Sequence, residues 1–182
     1  MGHELAFIGA NPAALLWDGD RASAFISVWQ VDWSSEGPGG AVFLAREGEL
    51  RVLCDPPVVG RWLFDTFVTH FTELNQFDEL PARPTVEQAP IKIDVDLVSG
   101  LTCSAGDVSI RISGILDRRR QLENGLRLGG VPWSLSHVYA PCRTARVEVA
   151  RSVVPGAPRV DDRRNPVSSS AWLAVAETWA RL

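Results

Sequence analysis

Hydrophobic residues recur along most of the chain with a period of two. Over 24–33 apolar side chains occupy both faces of an extended segment, which is typical of a strand buried on both sides. Two β-rich runs within 41–54 flank the polar stretch 46–49 and predict a hairpin beside that strand. These segments are expected to share one antiparallel sheet.

Strict alternation of apolar and polar residues returns in the second half. It covers 91–97 and 108–113, as in antiparallel strands with one face in water. Asn124-Gly125 is the strongest two-residue hairpin signal, and further strands are predicted at 133–139 and 144–150. The pattern favours about 7–9 strands in a strongly bent antiparallel sheet or a partly closed β-barrel.

Two segments have helical spacing instead. Apolar residues such as Trp62, Phe67 and Phe71 recur every three or four positions and predict one long central amphipathic helix over about 57–77. A second, C-terminal helix is predicted over about 169–181, after three serines that can cap it. The predicted fold class is therefore α+β.

Length and composition indicate an ordinary globular protein. The 182 residues, of which 46% are hydrophobic and 22% charged, predict a single domain over 1–182 and exclude disordered and disulfide-dense classes. No apolar run approaches the roughly 20 residues of a membrane span, so no membrane association is expected. Three cysteines without a C-x-x-C pair favour a reducing compartment, and we expect a cytoplasmic location.

Charge is divided unevenly along the chain. Residues 1–99 hold 6 Lys and Arg against 15 Asp and Glu, whereas residues 100–182 hold 12 against 7. The net values of −9 and +5 indicate either an interaction face or charges that interleave within one sheet. The overall charge of −4 does not favour a nucleic-acid partner.

Motifs with a specific chemical meaning are absent from the sequence. There is no glycine-rich nucleotide fingerprint, phosphate-binding loop, nucleophile elbow or H-E-x-x-H pair. The three histidines are too far apart to indicate a local metal site. No cofactor and no metal are therefore expected.

The segment 131–143 carries the main candidate site. Strand alternation places Trp133, Leu135, His137 and Tyr139 on one face, which combines aromatic surface with polar tips. Such a lining suits a small-molecule cavity, where His137 acts as a proton carrier and Tyr139 polarises a carbonyl. Alternatively, these residues are core aromatics with a hydrogen-bonded histidine between them.

Cys142 is the best candidate nucleophile in the sequence. Its neighbour Arg143 is expected to lower the pKa of the thiol and to contribute to the ligand site. The alternative is a small buried residue without reactivity.

Folding is expected to bring distant aromatic and histidine residues together. His70 lies on the apolar side of the predicted central helix and so approaches the sheet. If the sheet curls around that helix, His70 and His137 share one cavity with Trp29 and Trp62. Seven tryptophans favour such a cavity, although they equally suit a packed core.

Two hypotheses from different classes follow. The first is a binding protein for a small apolar or aromatic molecule, with cofactor-free acid/base or cyclisation-type chemistry by His137, Tyr139 and His70 if it is an enzyme. The second is a non-catalytic interaction or assembly module that forms a homo-oligomer or binds a protein partner.

Overall fold

Strands dominate the structure, a computed structural model that describes residues 4–182. Thirteen strands form one continuous sheet, and β13 and β14 form a separate two-stranded sheet. The strands are β1 (Glu4–Ala10), β2 (Ala13–Asp18), β3 (Arg21–Ser34), β4 (Gly39–Arg46), β5 (Glu49–Asp55), β6 (Thr85–Gln88), β7 (Ile91–Asp96), β8 (Gly100–Ala105), β9 (Val108–Ile115), β10 (Arg119–Leu128), β11 (Val131–Val149), β12 (Ser152–Val153), β13 (Val160–Asp161), β14 (Ser168–Ser169) and β15 (Ala171–Arg181).

The large sheet has two parts that meet in β11. Residues 133–141 of β11 pair with β15, and residues 142–149 pair with β9. The front sheet runs β6-β5-β4-β3-β1-β15-β11, with β10 on the far side of β11 and β2 between β3 and β15. The back sheet consists of β9, β8 and β7 beside the second half of β11.

Both faces of the front sheet are covered. One face packs against a strap, residues 57–77, and forms the aromatic layer with Phe7, Trp29, Phe67, Trp133 and Trp179 at its centre. The other face packs against the back sheet through smaller side chains, the aliphatic layer, which includes Ile26, Leu44, Leu101, Ile110 and Val147.

The predicted α+β class with a central helix over 57–77 is wrong. The described chain is mostly strand, and its α-helix α1 (Pro57–Thr66) has 10 residues. Two 3-10 helices, Val68–His70 and Thr72–Gln76, follow it. Valine, threonine and phenylalanine are poor helix formers, and i,i+3 turns still direct the apolar side chains to one side. The spacing of apolar residues over 57–77 is therefore similar to that of one longer α-helix.

The predicted C-terminal helix over 169–181 is also wrong, because β15 occupies this segment. A bulge at Ala176, whose φ is 50°, adds one residue to the strand. Trp172 and Ala174 precede the bulge, and Glu177 and Trp179 follow it on the same face. This break in the alternation produced the helix-like spacing of apolar residues.

The predicted barrel of about 7–9 strands is replaced by the two layered sheets, although the strands predicted at 24–33, 41–54, 91–97 and 108–113 are present. The hairpin turn predicted at Asn124-Gly125 is misplaced. That pair lies inside β10 at a register shift, and the turn falls at Gly129-Gly130, where both φ angles are positive.

Candidate functional site

Phe67 of the strap is the centre of the aromatic layer. Its ring centroid lies 5.4 Å from that of Trp29, 5.3 Å from Trp133, 5.0 Å from Trp179 and 5.5 Å from Trp62. The structure therefore brings together the three tryptophans predicted to bind a ligand, Trp29, Trp62 and Trp133. They pack on a phenylalanine of the same chain.

Several polar atoms are buried against this layer without a partner. Within residues 4–182, Trp29 Nε1, Trp133 Nε1, His137 Nδ1 and Glu177 Oε2 have no hydrogen-bond partner. Leaving a buried donor or acceptor unpaired costs about 1–3 kcal/mol, so native proteins keep few of them without a functional reason. Four on one face of one sheet mark this face as the candidate site.

His137 and Glu177 lie at the same level of the front sheet. Leu135 pairs with Trp179, and the same register sets His137 opposite Glu177, with the bulge at Ala176 immediately beyond. All four of the aligned side chains are buried. The histidine and the glutamate are therefore cross-strand neighbours on the strap side.

The protonation states of this pair follow from burial. Burial lowers the pKa of His137 and raises that of Glu177 to about 8, while the Trp179 indole N–H that donates to Glu177 Oε1 opposes the rise. His137 Nε2 lies 2.9 Å from Gln121 Oε1 and donates to it, so Nδ1 carries a free lone pair. At neutral pH the site thus offers an unpaired acid and an unpaired base.

A cleft opens at Tyr139, two residues along β11 from His137. Its volume is about 330 Å³, and Leu15, Glu73, Tyr139 and Trp172 form most of its wall. The two serine hydroxyls at its rim are already committed to backbone carbonyl oxygens of Cys142 and Leu15. The Tyr139 cleft is therefore mainly an apolar and aromatic space.

Tyr139 connects the cleft with the buried pair. The ring of His137 lies 6.2 Å from the ring of Tyr139, between centroids. The Arg119 guanidinium lies 5.2 Å from the centroid of the tyrosine ring, and its Nη2 donates to the carbonyl oxygen of Val167 at 3.0 Å. Burial is the main cause that raises the pKa of Tyr139, which therefore stays neutral at physiological pH.

His70 does not join this site. It is exposed, and its imidazole lies against the β10–β11 turn, where a Cβ added to Gly129 would be 2.5 Å from His70 Nε2. Six residues of β11, or about 20 Å of strand, separate that turn from His137. Because α1 ends at Thr66, His70 lies against this turn and does not share a cavity with His137.

Cys142 and Arg143 lie apart from the cleft. Cys142 is fully buried in the aliphatic layer, and burial raises the pKa of its thiol to about 11. Arg143 is exposed, and the arginine that partly opposes this rise is Arg118. The thiol therefore stays protonated at neutral pH.

Sequence reasoning missed Glu177 and Arg119. A lone glutamate among the apolar residues of 171–179 was a usable signal, but a helical interpretation directs it to solvent. Arg119 belongs to a run of three arginines, residues 118–120, whose members cannot all face the same way on one strand. Strand alternation in fact turns Arg119 alone toward Tyr139.

Comparison with protein-family models, curated proteins and solved structures finds no match. Within residues 4–182, no cluster of three or more His, Cys, Asp or Glu is arranged to hold a metal ion. No helix in that range has the length and hydrophobicity of a membrane span. The site must be interpreted from its own geometry.

Proposed function

We propose that the protein binds a small apolar or aromatic molecule in the Tyr139 cleft and directs a polar group of that molecule toward His137 and Glu177. One observation carries the proposal. Glu177 and His137 are a buried acid and a buried base that each have an atom without a hydrogen-bond partner, and His137 lies two residues along β11 from Tyr139 in the wall of the cleft. A ligand that pairs with either atom relieves the cost of leaving it unpaired.

The cleft has the dimensions and lining of a small ligand site. Its volume of about 330 Å³ lies near the lower end of typical ligand pockets, which suits a molecule of one or two rings. Tyr139 and Trp172 provide aromatic surface and Glu73 is the charged residue of the wall, while His137 lies behind Tyr139, with 6.2 Å between the two ring centroids.

The same pair supports cofactor-free proton transfer. A protonated Glu177 can donate a proton or a hydrogen bond to a ligand oxygen, and neutral His137 can accept a proton through Nδ1. Opposite shifts of two neighbouring pKa values are a common way to keep one acid and one base at neutral pH. Acid/base chemistry on the bound molecule is the enzymatic form of this proposal.

Tryptophan fluorescence tests binding directly. We expect saturable changes with 2-naphthol or 1-naphthoate, weakened at least tenfold in Tyr139→Ala and in Trp172→Ala because each removes a wall of the cleft. Trp33→Ala is the matched control, since this tryptophan is 43% exposed and does not line the cleft. Binding that survives both cleft variants, or no response to either probe, refutes the proposal.

A free sheet edge favours assembly as the second candidate function. Within the described chain β10 pairs with β11 alone, and Leu122 on β10 is 68% exposed. An edge with exposed apolar residues can add a strand from a second copy. Light scattering that shows a dimer, converted to a monomer by Leu122→Lys, supports assembly; a monomer at all concentrations excludes it.

A further inference from the structure

A second cavity lies on the outer face of the back sheet, away from the aliphatic layer. Its volume is about 480 Å³, and it spans β7, β8, β9 and the second half of β11. Alternation along these strands buries Leu101, Ile110 and Val147 and turns the polar residues outward. We call this cavity the polar trough.

Strand register arranges its side chains in two rows. Lys92, Ser104, Ser109 and Glu148 form one row across the sheet. Asp94, Thr102, Arg111 and Arg146 form the next.

The concave shape follows from side-chain length. The two inner strands carry mostly short hydroxyl side chains, Thr102, Ser104 and Ser109, whereas both outer strands carry longer charged ones. Long side chains at the margins and short ones between them leave a depression with a hydroxyl floor. The three hydroxyls make no side-chain hydrogen bond within the described chain, which leaves them free to contact a ligand.

Two arginines stand side by side in this trough. Arg111 and Arg146 are directly paired across β9 and β11. Arg146 is neutralised by Glu148, whose Oε1 accepts from its Nε at 2.9 Å and from its Nη2 at 2.8 Å. Arg111 makes no ion pair within residues 4–182. Arg111 is therefore the cation of this row that is available to an anionic ligand group.

We infer that the polar trough is a second binding site, for a small hydrophilic anion that carries hydroxyl groups, such as a sugar acid or a sugar phosphate. Arg111 holds the carboxylate or phosphate, because a guanidinium matches both groups, while Arg146 stays paired with Glu148 at the margin of the trough. Thr102, Ser104 and Ser109 contact the hydroxyl groups. No aromatic side chain lines the trough, which separates its ligand from the apolar molecule of the Tyr139 cleft.

Calorimetric titration of the full chain tests this site with four probes: gluconate, glucose 6-phosphate, inorganic phosphate and uncharged sorbitol. We expect either hydroxylated anion to bind at least tenfold more tightly than sorbitol and more tightly than inorganic phosphate. A preference between gluconate and glucose 6-phosphate identifies the anionic group. Equal binding of all four probes, or no binding of either hydroxylated anion, overturns the inference.

Variants locate the binding. Arg111→Gln is expected to weaken the preferred probe at least tenfold, and Thr102→Val, which removes one hydroxyl at nearly constant shape, by a smaller factor. Arg120→Gln on β10 is the matched control, an exposed arginine outside the trough. Unchanged affinity in Arg111→Gln, with native unfolding behaviour, overturns the inference. The variants Arg111→Gln and Thr102→Val should leave naphthoate binding in the Tyr139 cleft unaffected. Failure of one proposal therefore does not imply failure of the other.

Discussion

The two faces of the front sheet bury their side chains in different ways. The aliphatic layer joins the front and back sheets through Ile, Leu, Val and Ala side chains. The aromatic layer joins the front sheet to the strap through stacked and edge-on rings. The buried side-chain atoms of Trp29, Trp133, His137 and Glu177 that have no hydrogen-bond partner in residues 4–182 lie on the strap side, and none belongs to a residue of the aliphatic layer.

Under the proposed function, this contrast separates stability from ligand binding within one sheet. A fully apolar layer gains free energy from every buried side chain. The strap side gives up part of that gain by burying unpaired polar atoms. Proteins retain such costs mainly at sites that bind or react, so the aromatic layer is where ligand binding is expected and the aliphatic layer is where it is not.

Phe67→Ala is expected to have the largest effect. Removing a fully buried phenylalanine should lower the free energy of unfolding by about 3–5 kcal/mol. It should also open a cavity bordered by Trp29, Trp133 and Trp179 that admits a small aromatic molecule such as indole. Urea unfolding followed by tryptophan fluorescence, with and without indole, measures both effects.

Leu44→Ala is the matched change in the aliphatic layer. It should cost about 2–5 kcal/mol, but its cavity has aliphatic walls and no unpaired polar atom. Indole should therefore stabilise Phe67→Ala and leave Leu44→Ala unchanged. Equal stabilisation of both variants would remove the distinction between the layers.

Glu177 gives the strap side a distinctive pH dependence. Burial raises its pKa from 4.5 to about 8, so the native state keeps a proton that the unfolded chain releases. Stability must then fall as pH rises through this range, by up to about 1.4 kcal/mol per pH unit for one proton. Burial lowers the pKa of His137 from 6.5, which makes stability rise with pH only below that value.

The three buried cysteines, whose pKa values are also raised by burial, add a decrease of their own as pH approaches 8, so the measurement is made from pH 6.5 to about 7.5, where the glutamate dominates. We expect stability to decrease with pH there in the natural sequence, and Glu177→Gln to remove the slope because the amide does not titrate. Glu123→Gln, an exposed position on β10, should leave the slope intact. Urea unfolding at several pH values measures it, and a slope that persists in Glu177→Gln contradicts the assignment.

The sequence predicted those parts of the fold in which local pattern and tertiary structure agree. Alternation of apolar and polar residues located β7 and β9, and runs of strand-forming apolar residues located β3, β4 and β5. The pattern failed in β15, where the bulge at Ala176 breaks the period of two, and in the strap, where 3-10 turns follow a short helix. Bulges and i,i+3 turns both produce spacings that resemble an α-helix.

The candidate site was predicted only in part for the same reason. Tyr139 and His137 were found because β11 alternates regularly through them. Glu177 was missed because its position depends on the bulge, and His70 was misassigned because its position depends on where the helix ends. Side-chain type was a good guide to chemistry, but the face a residue occupies depended on local irregularities of the backbone.

Thiol labelling gives the smallest expected effect and compares the layers under native conditions. All three cysteines are buried, and burial raises the pKa of each thiol. Labelling therefore requires local opening. Cys54 lies beneath α1, where a Cβ added to Gly60 would be 2.6 Å from its Sγ, whereas Cys103 and Cys142 lie between the two sheets.

Detaching the short strap exposes less surface than separating two sheets that share β11. Iodoacetamide at pH 8 should therefore modify Cys54 first, and Cys103 and Cys142 should react only at the rate of global unfolding. Peptide mass spectrometry over time assigns each site, with the protein in urea as the reference for full reactivity. Early modification of Cys142 would revive its predicted role as a nucleophile and would mean that the aliphatic layer, not the strap, is the part of this protein that opens.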